Sequence, residues 1–244
     1  MAVPSLTTTP VPPRTPTGRA RRSPRISSVL LKAVMAVTGL LLFGFVVAHM
    51  LGNLKIFFGA ESFDSYARFL RTVGEPLLPE RGLLWIMRIG LLVAVFAHII
   101  AATMLARRAR KARPVRYHHR PKVQGSYAAR TMRWGGVIIA LFVVYHLMDL
   151  TLLWANPNGV HGEAYNNVTA DFTLERWPVV LVYTVAVLAL GFHLRHGVWS
   201  ALRSLGRGRA RTEARLKVIA LVVAVLVCAG YLSVPFAVLT GLVS

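Results

Sequence analysis

Five long apolar segments constrain the fold of this chain more than any other feature. They cover about residues 29–51, 83–106, 133–155, 177–201 and 216–241. Each is long enough to cross the ~30 Å hydrocarbon core of a bilayer as a helix. Backbone polar groups in lipid must be paired internally, and the alternating pattern of a barrel strand is absent from the sequence. We therefore predict an all-α integral membrane protein, a five-helix transmembrane bundle formed by residues 28–244.

Residues 1–27, which precede the first apolar segment, are rich in proline, threonine and arginine. This composition predicts a disordered basic tail. A cleaved signal peptide is not expected, because the apolar segment that follows is longer than a signal sequence uses.

Lysine and arginine outnumber aspartate and glutamate by 29 to 9. Such an excess can indicate nucleic-acid binding. Here, however, the basic residues lie in the tail and in two of the loops, 107–122 and 203–217, whereas the alternate loops are acidic or mixed. The positive-inside rule predicts a multi-pass protein of the bacterial cytoplasmic membrane, with its N-terminus in the cytoplasm and its C-terminus outside. No nucleic-acid partner is expected.

Cysteine usage excludes two further kinds of structure. Cys228 is the single cysteine of the chain and lies in the last apolar segment. It has no partner for a disulfide within the chain, and one thiolate is too few for a cysteine-ligated iron–sulfur cluster. We interpret it as a small buried apolar side chain.

The first four apolar segments each contain one histidine within the span, which is costly in a membrane and usually functional. At a rise of about 1.5 Å per residue, His49 and His146 lie about 26 Å and about 20 Å from the basic residues at the inner ends of their helices. His98 and His193 lie only about 13 Å and about 15 Å from theirs. The first pair is therefore predicted in the outer half of the bilayer and the second pair in the inner half.

Two histidines at one depth on different helices suit a six-coordinate haem b, because each gives the iron one neutral imidazole nitrogen. We predict two haems b, which transfer electrons because no coordination position stays open for oxygen. Cationic or hydrogen-bonding groups near the span ends are candidates for propionate or supporting contacts, and each is equally compatible with an ordinary interfacial anchor. They are Arg88, Arg130, Arg133, Arg195 and His196. His118 and His119 are expected to be solvated, and His161 to be unrelated to haem.

The motifs around these histidines are similar to those of a known family. They include Ser27, Ser28, Lys32, Thr38 and Gly39 in the first helix, His49, Gly52 and Asn53 at its end, Phe63, Tyr66 and Arg68 after it, Tyr145 and His146 in the third helix, and His193, Gly197 and Ser200 in the fourth. With them, essentially all of the chain after the tail resembles the di-haem cytochrome b membrane anchor of succinate:quinone oxidoreductases. The resemblance is to the single five-helix type, which includes fumarate reductase anchors.

This resemblance implies that each of the first four helices gives one haem ligand and that His193, rather than His196, is the ligand in the fourth. It also implies a flavoprotein subunit that oxidises succinate and an iron–sulfur subunit, both docked at the cytoplasmic face. Electrons would pass through the two haems to a quinone, with menaquinone expected. The chain would be a non-catalytic electron-transfer subunit, since it has no flavin-binding glycine fingerprint for a succinate site.

Polar residues near the two haem positions are candidate quinone contacts. They are Ser27, Ser28 and Lys32 at the cytoplasmic start of the first helix, and Glu61, Asp64 and Asp149 near the outer haem. Some anchors of the family carry a glutamate two residues before the fourth-helix histidine, where it is linked to transmembrane proton transfer. Gly191 occupies that position here, so this proton path is not expected.

Other functions remain open at this point. A di-iron membrane enzyme would need several His-x-x-His pairs on one face, and the spans contain only the pair His193 and His196. A transporter is disfavoured because the sequence has no internal repeat or interrupted helix pair. A haem-free quinone-binding anchor stays possible. The anchor of a hydrogenase or formate dehydrogenase is the nearest alternative, and only the motifs argue against it.

Overall fold

The computed structural model describes residues 26–112, 127–203 and 210–244. Within these ranges the chain forms α-helices and no strand. The helices are α1 (Ser28–Asn53), α2 (Ala60–Thr72), α3 (Gly82–Lys111), α4 (Tyr127–His146), α5 (Ala164–Asp171), α6 (Trp177–Leu202) and α7 (Ala210–Leu239). Five of them are long and apolar enough to cross a membrane, namely α1, α3, α4, α6 and α7. The all-α, five-helix prediction is thereby confirmed, while the side on which each terminus lies stays a prediction.

The first span begins where its sequence predicts a helix start. Ser27 is the N-cap of α1, and its Oγ accepts a hydrogen bond from the backbone N–H of Leu30 at 3.0 Å. A serine in this position satisfies one of the donors that a helix start leaves unpaired.

The third span ends earlier than its apolar pattern predicts. After α4 the chain continues through one π-helical turn, Leu147–Thr151, and then leaves the helix. Leu153 adopts a left-handed conformation with φ 60°, and the N–H groups of Trp154 and Ala155 both donate to the carbonyl of Met148. This reversal turns residues 152–155 into loop, although their apolar side chains fit the preceding helix.

Two short helices cover one end of the bundle. α2 lies between α1 and α3, and α5 lies between α4 and α6. They meet where the N–H of Tyr165 donates to Asp64 Oδ1 at 2.9 Å and where Phe63 packs edge-on against the Tyr165 ring. We call this end the acidic end. The opposite end, where α3 and α6 finish in arginines such as Arg108 and Arg203, is the basic end.

The spans pack mainly in neighbouring pairs: α1 along α3, α4 along α6, and α6 along α7. Small residues on α6 and α7 permit close approach. A Cβ at Gly191 would collide with Cys228 Sγ of α7, and a Cβ at Gly230 would collide with Met50 Sδ of α1. α7 is also tied to α1 by Tyr231, whose hydroxyl donates to the Val46 carbonyl at 2.7 Å. As a result, α7 holds the two halves of the bundle together.

Candidate functional site

The four span histidines meet as two pairs inside the bundle. The ring centroids of His49 on α1 and His146 on α4 lie 5.9 Å apart. Those of His98 on α3 and His193 on α6 lie 6.3 Å apart. These are the pairs that the depths along the helices predict. Each pair joins one helix of the α1/α3 pair to one helix of the α4/α6 pair.

The spacing within each pair fits one metal ion between two imidazoles. A metal that accepts a nitrogen at about 2 Å from each of two opposed rings places their centroids about 6 to 6.5 Å apart. In the described part of the chain, no group of three or more His, Cys, Asp or Glu side chains is arranged to hold a metal. Each layer therefore offers only two imidazoles. That donor set fits a metal that brings its other four ligands with it, as haem iron does.

The two layers lie well apart along the bundle. Tyr183 contacts His146 in one layer, and His193 belongs to the other. Both are on α6, where the rise of a helix over the intervening residues corresponds to about 15 Å. The His49–His146 layer is nearer to the acidic end, and the His98–His193 layer is nearer to the basic end.

Aromatic side chains enclose the layer near the acidic end. Phe45 stacks on His49 with ring centroids 5.4 Å apart, and Phe142 stacks on His146 at 5.7 Å. Nδ1 of His146 lies 3.2 Å from the hydroxyl oxygen of Tyr183. That hydroxyl in turn donates to Asp149 Oδ2 at 2.8 Å. A hydrogen-bonded chain thus leads from His146 through Tyr183 to a carboxyl group.

This chain ends in a buried cluster of Asp149, Asp171 and Arg176. Both aspartate side chains are fully buried, and Arg176 Nη2 lies 2.6 Å from Asp171 Oδ1 and 3.9 Å from Asp149 Oδ1. Burial, reinforced by the neighbouring carboxyl of Asp149, raises the pKa of Asp171 to about 7 despite the opposing effect of Arg176. Asp149, a candidate quinone contact from the sequence, is therefore enclosed within this cluster.

Three members of this network were not among the residues predicted from the sequence: Tyr183, Asp171 and Arg176. A tyrosine in the middle of an apolar segment is a detectable signal for Tyr183, because its hydroxyl needs a partner in lipid. Asp171 is the last residue of α5 and Arg176 directly precedes α6, in a connection of ordinary polarity between two spans. Only the fold brings them to Asp149.

The layer near the basic end is built by neighbouring residues of α1. Thr38 Oγ1 lies 3.2 Å from His98 Nδ1, and the same hydroxyl donates to the carbonyl of Val34 at 2.7 Å. Gly39 leaves room for the ring, since a Cβ there would stand 3.2 Å from His98 Cε1. His193 Nδ1 is buried and has no hydrogen-bond partner within the described residues.

A second pair of unpartnered polar atoms lies one turn further toward the basic end. His196 Nδ1 and Trp199 Nε1 are buried without a hydrogen-bond partner in the ranges that the structure describes. Their rings pack edge-on with centroids 5.6 Å apart, and the cations of Arg203 and Lys217 lie over the Trp199 ring. An indole N–H can only donate, so this corner is suited to an anionic or carbonyl acceptor.

The remaining propionate candidates are scattered. Arg195 is half-buried and Arg133 is exposed. Arg88 lies over the Trp85 ring at 5.1 Å, near the other end of α3. The side chain of Arg130 lies outside the described residues.

The candidate quinone residues mostly have local partners. Ser27 caps α1, as described above, and Ser28 Oγ accepts a hydrogen bond from Arg108 Nη1 at 2.9 Å. Lys32 and Glu61 are exposed. Asp64, as described above, accepts from the backbone of α5. Together with buried Asp149, these six residues are divided between the two ends of the bundle.

Comparison with known proteins adds a family to this geometry. Residues 106–232, just over half of the chain, match the model of the succinate dehydrogenase/fumarate reductase transmembrane subunit. The match includes His146 and His193, one histidine of each pair, whereas His49 and His98 precede it. Comparison with curated proteins and with solved structures found no match. The chain therefore belongs to the family of succinate dehydrogenase/fumarate reductase transmembrane subunits.

Proposed function

We propose that this subunit binds two haems b and passes electrons from an iron–sulfur subunit across the bacterial cytoplasmic membrane to a quinone, menaquinone being expected. It would also anchor the flavoprotein and iron–sulfur subunits. The observation that carries the proposal is the pair of histidine couples, with ring centroids 5.9 Å and 6.3 Å apart, each bridging two helix pairs. Family membership supports the catalytic partners, since the matched model describes a subunit of that complex.

His49 and His146 would hold one haem, and His98 and His193 the other. When bound in this way, haem supplies one-electron redox chemistry with no coordination position left for oxygen. The chain contributes the spacing of the imidazoles and an enclosure in which α7 closes the bundle. Its layers, about 15 Å apart along α6, would relay electrons from the basic end toward the acidic end.

The basic end is the expected docking face for the catalytic subunits. Its arginines support a position on the cytoplasmic side, by the positive-inside rule. His196 Nδ1 and Trp199 Nε1 at this end are buried without a hydrogen-bond partner within the described residues, and the indole nitrogen can only donate. These groups would bind the carboxylates of the nearer haem.

Haem content of the assembled complex tests the proposal. The complex should be purified with its catalytic subunits, and haem quantified per anchor chain together with the reduced-minus-oxidised spectrum. We expect two low-spin b haems, and the loss of one in His146→Ala and in His193→Ala. His161→Ala, which removes an exposed loop histidine, should leave the content unchanged.

Methionine variants make the test independent of haem loss. His146→Met and His193→Met replace one imidazole by a thioether that still ligates iron, which raises the reduction potential. Each variant should shift one haem and leave the other unchanged. An assembled wild-type complex without haem would overturn the proposal, as would an unaltered spectrum in both methionine variants.

A further inference from the structure

The hydrogen bonds around Tyr183 define where the ring proton of His146 lies. A tyrosine hydroxyl has one proton, and Tyr183 gives it to Asp149 Oδ2 at 2.8 Å. Toward His146 Nδ1, at 3.2 Å, the same oxygen is left as an acceptor. His146 Nδ1 must then carry the proton, which leaves the lone pair on Nε2.

This assignment requires Asp149 Oδ2 to accept, and the position of Arg176 is consistent with it. Asp149 Oδ1 and both oxygens of Asp171 are buried without a hydrogen-bond donor among the described residues, although Arg176 pairs with Asp171 by charge. Arg176 Nη2 lies 2.6 Å from Asp171 Oδ1 and 3.9 Å from Asp149 Oδ1, so the guanidinium is on the Oδ1 side of the Asp149 carboxyl. Oδ2 of Asp149 instead accepts the hydrogen bond of the Tyr183 hydroxyl at 2.8 Å.

We propose that Tyr183 and Asp149 are positioning residues that fix His146 in the Nδ1-protonated form, with the Nε2 lone pair free for a metal. The inference rests on the proposed function, in which His146 ligates the haem nearer to the acidic end. Asp171 and Arg176 act one step further away, because they hold Asp149 in place. The role assigned to Asp149 is therefore to orient a ligand rather than to contact the quinone.

The other layer has the same logic with different chemistry. Thr38 gives its hydroxyl proton to the Val34 carbonyl at 2.7 Å, so its oxygen can only accept from His98 Nδ1 at 3.2 Å. His98 is thereby also held with its Nε2 lone pair free. In each layer one histidine therefore has a fixed tautomer. For His98 the hydroxyl that accepts from the ring donates to a backbone carbonyl, and for His146 it donates to a carboxyl group.

Removal of the acceptor should change the electronic character of the haem ligand. A hydrogen bond from Nδ1–H to an oxygen raises the basicity of the imidazole. A more basic ligand stabilises the oxidised iron, so its loss raises the reduction potential. Loss of such supporting contacts typically costs about tenfold or more in metal affinity or activity, and we expect a change of about tenfold in the redox equilibrium as well. Tenfold in the one-electron equilibrium constant corresponds to about 59 mV.

The test uses the assembled complex and the variant Tyr183→Phe, which removes only the hydroxyl. We expect two haems to be bound. One of them should have altered EPR g values and a higher reduction potential, by the amount that corresponds to about a tenfold change in its one-electron equilibrium constant. The matched control is Tyr231→Phe in the same layer. Its ring lies 6.2 Å from that of His49, but its hydroxyl bonds the Val46 carbonyl and not an imidazole. Both potentials should keep their wild-type values in this control.

Two variants of Asp149 complete the test. Asp149→Asn keeps a carbonyl oxygen that can accept from Tyr183, so the reduction potentials should stay close to those of the wild type. Asp149→Ala removes this acceptor and should behave like Tyr183→Phe. Unchanged potentials and g values in Tyr183→Phe and in Asp149→Ala, with two haems bound, would overturn the positioning role alone. An equal shift in Tyr231→Phe would also overturn it. A wild-type complex without haem would instead overturn the proposed function, so the two failures are distinguishable.

Discussion

Gly39 of α1 lies directly against the imidazole of His98 on α3, where a Cβ would stand 3.2 Å from His98 Cε1. The preceding residue, Thr38, accepts a hydrogen bond from the same ring. Two adjacent residues of one helix therefore supply both the space and the polar partner for one histidine of the next span. This contact gives a physical reason for a threonine followed by a glycine at these two positions.

Enlargement of Gly39 should empty the layer near the basic end. In Gly39→Leu the side chain would occupy the position of the imidazole, so we expect one haem per chain in place of two. The matched control is Gly44→Leu on the same helix, because a Cβ at residue 44 meets nothing within 4 Å. Haem quantification of both purified complexes checks this prediction, and two haems in Gly39→Leu would contradict it.

Thr38→Val should affect the same layer without displacing the ring. Valine keeps the shape of threonine but offers no oxygen to His98 Nδ1. The reduction potential of one haem should therefore rise, by the amount that corresponds to about a tenfold change in its one-electron equilibrium constant. Redox titration should find this to be the haem that Tyr183→Phe leaves unchanged. Thr184→Val is the control, since the Thr184 hydroxyl donates to the Val180 carbonyl of its own helix at 2.7 Å. A shift of the same haem in Thr38→Val and Tyr183→Phe would refute the two-layer assignment.

Stability of the acidic end should fall as pH rises toward neutrality. The pKa of Asp171 is raised from its ordinary 3.8 to about 7, first by burial and then by Asp149, so the folded state binds this proton more tightly than the unfolded chain. The resulting stabilisation is complete below about pH 4 and is lost as pH rises through 7. Thermal unfolding of the complex in detergent across this range should reveal the decrease.

Asp171→Asn should flatten this pH dependence, because the amide does not titrate. Glu163→Gln, an exposed carboxylate at the same end, should retain the wild-type profile. A profile in Asp171→Asn that still falls between pH 4 and 7 would show that another group is responsible.

Arg176 should matter far more for stability than an exposed ion pair. Arg176→Gln leaves two buried carboxyl groups without a cation, a kind of change that costs about 3 to 5 kcal/mol. Part of that cost will be relieved by proton uptake at low pH. Glu80→Gln breaks the exposed pair with Arg81 and should cost less than about 1 kcal/mol. Denaturant unfolding of the two variants measures the contrast, and equal costs would contradict the buried-cluster interpretation.

The spans and the histidine pairing are predictable because the length and hydropathy of a segment, and the depth of a residue within it, can be read from the local sequence. The cluster around Asp149 is not, because it depends on the reversal at Leu153 and on the return of α5 to the bundle. The short helices α2 and α5 were not predicted either, although α2 has an amphipathic pattern that is typical of a helix.

The departure at Gly191 also has a spatial reason that the sequence alone does not contain. A Cβ at this position would collide with Cys228 Sγ of α7. The nearest backbone atom of α7, the Ala224 carbonyl oxygen, would be 3.9 Å from that Cβ. A glutamate at residue 191 would therefore require the Cys228 side chain to move.

Pairing of histidines across the two halves of the bundle has a consequence for biosynthesis. The ribosome makes His49 and His98 first, but the first pair is complete only with His146 and the second only with His193. Tyr183, which orients His146, is also on α6. Neither pair is therefore in its final form until the fourth span has been made and inserted. A cofactor that needs these pairs would bind late in biosynthesis, after membrane insertion of that span.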